Sequence, residues 1–253
     1  MLSQNLFNSL FVIPLLNLLV AFYKVFEFLK IPGALGWAIL LLTLVVKALT
    51  YPFFKKQLEA AKKMQELKPE LEKLSKKYKD DKVKLQKAQI KLYQKAGVNP
   101  AAGCLLPLVQ LPIFFALYRA FLVFLNLKVD SQQVFKALNK VLYTRSLHIA
   151  SINPYFFGFD LTLSPAKAQH PIYYTIPVIT GFLQYYQSVI TTQQVKAEDK
   201  KTSEFQQAFQ SQSKIIFPLF LAWISFSFPV GLSLYWNFFT LLSIFQMRKI
   251  RQI

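Results

Sequence analysis

At 253 residues the chain could form one large or two small soluble domains, but 54% of it is apolar and 16% aromatic. Several of its apolar runs approach the length of about 20 residues that spans a hydrocarbon core, which indicates an all-α polytopic membrane protein instead. The single cysteine, Cys104, excludes an internal disulfide and a cysteine-cluster metal site, and His148 and His170 are too far apart to suggest a metal site by spacing. There is no GxGxxG, Walker, HExxH or GxSxG pattern, so nothing points to an enzyme or a cofactor.

The net charge is +18, and its distribution orients the chain. Residues 55–97 carry 14 Lys and Arg against 6 Asp and Glu, 127–171 carry 5 against 2, and 191–214 carry 4 against 3. From 248 onward there are 3 basic residues and no acidic one. The positive-inside rule puts the lysine-rich segment in the cytoplasm. Alternating spans then put 127–171 outside, and 191–214 and the basic tail inside.

Residues 1–33 are apolar but interrupted by Asn8, Pro14, Asn17, Lys24 and Glu27, with no basic leader or small-residue cleavage site. Two readings fit: an extra span, or a helix lying in the outer interface. Pro14 and the Lys24/Glu27 end favour the interfacial helix. The first span covers 34–54. Segment 55–98 shows helical periodicity through Leu58, Ala61, Leu67, Leu71, Leu74 and Tyr78, and again through Leu85, Ala88 and Leu92. Between them lies a polar turn at 79–82, which predicts an antiparallel helical hairpin. Asp80 and Asp81 are expected to cap its second arm, and Pro69 to kink or restart the first. The lysine-covered surface suits anionic lipid headgroups or ribosomal RNA.

The second span lies within 99–126 and contains Pro107, Gln110 and Pro112, which imply a kink. The outer segment 127–171 should be helical near 131–143 and then looped, with Tyr155, Phe156, Phe157 and Phe159 as an interface belt. The third span is 172–190, followed by a flexible polar linker at 191–213. In 214–253 the apolar stretches Ile215–Phe228 and Leu232–Met247 flank a tight Pro229-Val230-Gly231 turn and form the last two spans. Both stretches are shorter than a bilayer core, so either polar flanks extend the helices or the bilayer thins, which is the favoured reading.

Lys47 is the informative residue. It lies inside the first apolar stretch, eight residues or about 12 Å before Lys55, deeper than its own stem can snorkel. A charge at that depth costs roughly 2.5–3.5 kcal/mol on insertion scales and marks a functional site by default. No Asp or Glu lies in the apolar stretches from 35 onward to neutralise it, which counts against a carboxylate-relay transporter. Thr43, Gln110, Gln184, Gln187 and Asn237 also occupy the inner half or the middle of their spans. A shared wet cavity open to the cytoplasm would account for this bias, as would separate interhelical hydrogen bonds.

NPAAGCLLPLVQLPIFFALY at 99–118, GWAILLLTLVVKALTYPFFKKQ from Gly36, and FPVGLSLYWNFF at 228–239 together resemble the YidC-type membrane protein insertases of bacteria, mitochondria and chloroplasts. The resemblance runs over roughly 35–250 in the same order. It implies five transmembrane helices, a cytoplasmic hairpin and a hydrophilic groove centred on Lys47, open to the cytoplasm and the lipid and closed on the outside, in a multi-pass protein of the bacterial plasma membrane. The family's groove positions carry over to Thr43, Lys47, Gln110 and Trp236, with Tyr235 beside the last. Bacterial members usually have arginine where this chain has Lys47, so the charge is kept and the bidentate fork is lost. The partners implied are nascent membrane protein clients and the lipid bilayer. Ribosome, signal recognition particle and its receptor, and Sec translocon would be met through 55–98 and the tail.

Overall fold

A computed structural model describes residues 5–79, 81–97, 111–120, 131–193 and 204–251. Most of them are helical. A turn of π-helix, Asn8–Val12, leads into α1, Ile13–Phe28. Pro14 therefore falls in the first turn of α1, where a missing amide costs little. The chain reverses through Lys30 and Gly33, both at positive φ, into α2, Ala34–Glu66.

The first span and the first hairpin arm are thus one helix of 33 residues, with Pro52 inside it, rather than two elements meeting at 54. A break at Leu67 precedes α3, Lys68–Lys77, whose first turn holds Pro69, so this proline restarts the arm as expected. α4, Lys82–Lys95, packs on α3. Asp81 caps it by accepting from the Lys84 amide at 2.9 Å, and Asp80 lies outside the described residues. That hydrogen bond holds the Asp81 carboxyl below its ordinary pKa.

Residues Leu111–Ala120 form α5 and Ser131–Asn139 form α6. Among the described residues the rest of the outer segment is loop except for short 3-10 turns at Arg145–Leu147 and Pro171–Tyr174 and a small antiparallel ladder, β1 (Tyr155–Phe156) and β2 (Phe159–Asp160). Then come α7, Thr175–Gln193; α8, Glu204–Ser227; and α9, Val230–Arg251. The expected linker is therefore helical from Glu204. The polar flanks do extend the last two helices, to 24 and 22 residues. The apolar part of α8, Lys214–Ser227, stays short.

Among the described residues three helices are long and apolar enough to cross a membrane, Asn8–Phe28, Ala34–Met64 and Val230–Arg248. α5 and the Lys214–Ser227 part of α8 are shorter apolar helices. The outward faces of α2, α7 and α8 carry large apolar residues such as Leu49, Val178, Phe182, Leu219 and Trp223, as expected of helices whose solvent is lipid.

One end of the bundle is closed by the outer segment. The amides of Val230 and Gly231, two of the four that a helix start leaves without intrahelical partners, donate to the carbonyls of Leu163 and Leu161 at 2.8 Å each. Ala166 donates to the Phe226 carbonyl beside them. Phe156 packs against Gly33, Gly36 and Trp37 at the start of α2. The aromatic belt is therefore divided. Phe156 is buried, Phe159 stacks edge-on with Tyr173, and Tyr155 and Phe157 remain exposed.

α1 packs along α2, and it and the π-helical turn before it also hydrogen-bond at that same end. Asn8 accepts from Arg119 near the end of α5. The Asn17 amide donates to Val141 O and accepts from Tyr143 N, and the Tyr23 hydroxyl accepts from Asn153 N.

Candidate functional site

α2 and α9 start at the same closed end and run side by side, so equal distances along them bring residues to equal depth. Lys47 is thirteen residues past Ala34 and Ser243 thirteen past Val230, about 20 Å down each helix. The two meet there: Lys47 Nζ donates to Ser243 Oγ at 2.7 Å. Ser243 in turn donates its own proton to the Phe239 carbonyl at 2.8 Å, which leaves its lone pairs for the ammonium. The rings of Phe239 and Phe54 lie 4.0 Å and 4.4 Å from Nζ, within cation–π range. Lys47 is 3% exposed, so it neither snorkels nor faces an open aqueous space in this conformation.

Phe239 belongs to the main apolar core, which includes Leu35, Ile39, Leu42, Val46 and Tyr235. Phe54 belongs to a second, smaller cluster with Ile190, Ile244 and Met247. The ammonium sits between the two clusters. Below the smaller one lie Lys55 and, on α9, Arg248, whose guanidinium contacts the Tyr186 hydroxyl and ring.

The other expected residues do not all converge on Lys47. Thr43 is fully buried one turn before it, but its hydroxyl donates back to Ile39 O. Trp236 and Gln184 meet nearer the closed end, with Nε1 donating to Oε1 at 3.4 Å and linking α9 to α7. Tyr235 is enclosed in the main core beside Phe239. Asn237 buries its side-chain oxygen with no hydrogen-bond partner among the described residues. Gln187 is half-buried on α7. Gln110 lies outside the described residues.

A cavity of about 500 Å³ opens among α5, α7, α8 and α9. Phe114, Phe115, Phe217, Phe220, Phe228 and Trp236 line much of it, and Lys47 is not on its wall. It is an apolar space and not the wet cavity expected around the lysine. Trp236 lines the cavity and bonds to Gln184.

A model of the 60Kd inner membrane protein family matches residues 25–253, nearly the whole chain. The chain belongs to that family. It is similar to "Membrane protein insertase YidC" of Caulobacter vibrioides, with 34% identity over 236 residues covering 92% of this chain and 35% of the relative. It is also similar to the YidC of Aquifex aeolicus, at 32% over 221 residues, 87% of this chain and 36% of the relative. "Inner membrane ALBINO3-like protein 1, chloroplastic" of Chlamydomonas reinhardtii matches at 32% over 232 residues, 90% of this chain and 46% of the relative. The chain thus spans less than half the length of each of these relatives.

In this member of the 60Kd inner membrane protein family, the lysine's direct partner was not among the expected site residues. Ser243, Phe54 and Phe239 are supplied by the pairing of α2 with α9, which sequence reading did not specify. One signal was present. Ser233, Asn237, Thr240 and Ser243 recur at steps of four, three and three along the last apolar stretch, and all but Asn237 are buried. That stripe marks the face of α9 that turns inward, and Lys47 falls against its inner end.

Proposed function

We propose that this chain is a membrane protein insertase, holding the polar head of a client segment part-way across while the client's apolar part moves into lipid. The observation that carries this reading is Lys47. It is a cation kept at mid-depth between α2 and α9, at the end of a polar stripe, in apolar stretches that contain no carboxylate. Such a charge has no structural use that a Leu or Met would not serve at lower cost. It suits transient attraction of an acidic client head.

In the proposed cycle the α2–α9 seam opens to the cytoplasm and hydrates, and Lys47 attracts a client carboxylate. Thr43, Gln110, Gln184, Gln187, Trp236 and Asn237 provide the polar wall, with Tyr235 behind it. The client's apolar segment slides along the lipid-facing sides of α7 and α9, where Val178, Phe182 and Phe245 are exposed. No covalent bond changes, so the cycle needs neither nucleotide nor cofactor.

The membrane arrangement proposed with it has five spans, with α2, α5, α7, α8 and α9 as their helices. The lysine-rich α3–α4 hairpin and the C-terminal tail face the cytoplasm of a bacterial plasma membrane. α1 and the π-helical turn before it lie in the outer interface, a reading supported by their contacts with residues 119, 141, 143 and 153 at the closed end. Hairpin and tail are the proposed meeting points for ribosome, signal recognition particle and its receptor, and Sec translocon. Working alone or beside the translocon is compatible with this arrangement.

The test is insertion of a small client with an acidic head into liposomes containing the purified protein, read by protease protection. Lys47→Ala and Lys47→Glu should lose insertion and Lys47→Arg should keep it. Full activity in all three would remove the charge from the mechanism.

A further inference from the structure

The lysine proposed to attract clients is enclosed on every described side, and the enclosure is built from specific parts. Ser243 accepts the ammonium's hydrogen bond and is itself oriented by donating to Phe239 O. Phe239 and Phe54 lie against Nζ at 4.0 and 4.4 Å. Ser243 is 1% exposed and Phe54 4%. Phe54 packs with Ile190 of α7 and with Ile244 and Met247 of α9, so three helices meet between Lys47 and the polar ends that begin at Lys55. An apolar plug of this kind works against a site that must receive a charged ligand from that direction, unless the plug moves.

We infer that Lys47 is latched: Ser243 and Phe239 store its ammonium, and the Phe54–Ile190–Ile244–Met247 cluster is a gate that must part before the charge meets an acidic client. This rests on the insertase reading and adds a positioning role for Ser243 and a gating role for Phe54. The latch suits an ammonium in particular. A compact NH₃⁺ fits between two rings and one hydroxyl, and both rings attract it through their faces. Storage of this kind keeps a costly charge satisfied while no client is present. The gate cluster is small, four residues against the much larger main core, so it is the part of the α2–α9 seam that costs least to open.

The test is the rate at which a small membrane-permeant acylating reagent modifies Lys47 in the full-length protein in lipid nanodiscs, without client, read by peptide mass spectrometry. Lys56, exposed on the same helix, is the internal reference. In the wild type Lys47 should react far more slowly than Lys56. Ser243→Ala, which removes a hydrogen bond to a charged group, and Phe54→Ala, which removes a desolvated cation–π contact, should each speed Lys47 by about tenfold and leave Lys56 unchanged. Ser243→Thr, which keeps the hydroxyl, should stay slow, and it separates loss of the latch from general loosening of the fold. Equal rates for Lys47 and Lys56 in the wild type, or no change on Ser243→Ala, would overturn the latch. Insertion by Lys47→Ala reports separately on the insertase reading: normal insertion with the labelling contrast intact would remove the client role of the charge and leave the latch in place.

Discussion

The ring of Phe156 in the outer ladder lies directly on Gly36 in the first turns of α2, so that a β-carbon at 36 would overlap it. Residue 36 is helical and needs no unusual φ, and its glycine is required by this contact alone. Gly36→Ala should therefore destabilise the protein by about 1–3 kcal/mol through overpacking. In a Phe156→Ala background, itself costly, the same change should have little effect. Thermal unfolding in detergent of the two single variants and the double variant checks this, and additive losses would contradict it.

Asn17 fastens α1 to the outer segment with both ends of its amide, donating to Val141 O and accepting from Tyr143 N while 4% exposed. Asn17→Ala strands two backbone groups, at about 1–3 kcal/mol each. The expected outcome is a lower melting temperature together with faster hydrogen exchange at the Tyr143 amide. Unchanged exchange there would mean that α1 does not hold this segment down.

Asp81 caps α4, and its carboxyl is held below the ordinary value by the Lys84 amide, with the Lys84 ammonium 3.0 Å away. Since the folded-state pKa is the lower one, the contribution is complete above the unfolded value of about 3.9. It is lost as pH falls through the depressed folded value. The first turn of α4 should therefore fray under acid, seen as loss of the Lys84 amide's exchange protection. Asp81→Asn, which keeps an acceptor but cannot titrate, should flatten that pH dependence.

The client's charge should matter as much as the protein's. A carboxylate crossing unaided pays roughly 2.5–3.5 kcal/mol at mid-depth, so the Lys47→Ala defect with an acidic-headed client is bounded at roughly a few hundredfold. With the acidic residues of the client head replaced by Asn or Gln, wild type and Lys47→Ala should insert alike. Protease-protection time courses with the two clients make the comparison, and an equal defect with both would mean that Lys47 acts on something other than client charge.

Much of the architecture could be read from the order of residues, because its causes are local. Long apolar runs must become helices in lipid to satisfy their backbone. Pro69 cannot continue a helix and so restarts one, and Asp81 caps because its oxygen reaches the amide three residues on. Lys47 stood out from the cost of its charge alone. Boundaries read less well where composition and conformation part. The polar residues of 204–213 are helical like the apolar ones after them, and α2 continues through Pro52 into the lysine-rich segment.

Pairing between distant elements was decided only in three dimensions. Ser243, 196 residues from Lys47, becomes its partner because α2 and α9 start at the same end of the bundle and run parallel to equal depth. The same packing turns Tyr235 into core and turns Thr43 back onto its own helix. It encloses the lysine between two rings and leaves the large cavity apolar. A sequence shows that a buried charge must find a partner. Which side chain answers depends on helix direction and register, and those are set by the outer segment's hydrogen bonds to Val230 and Gly231 and its packing on Gly36.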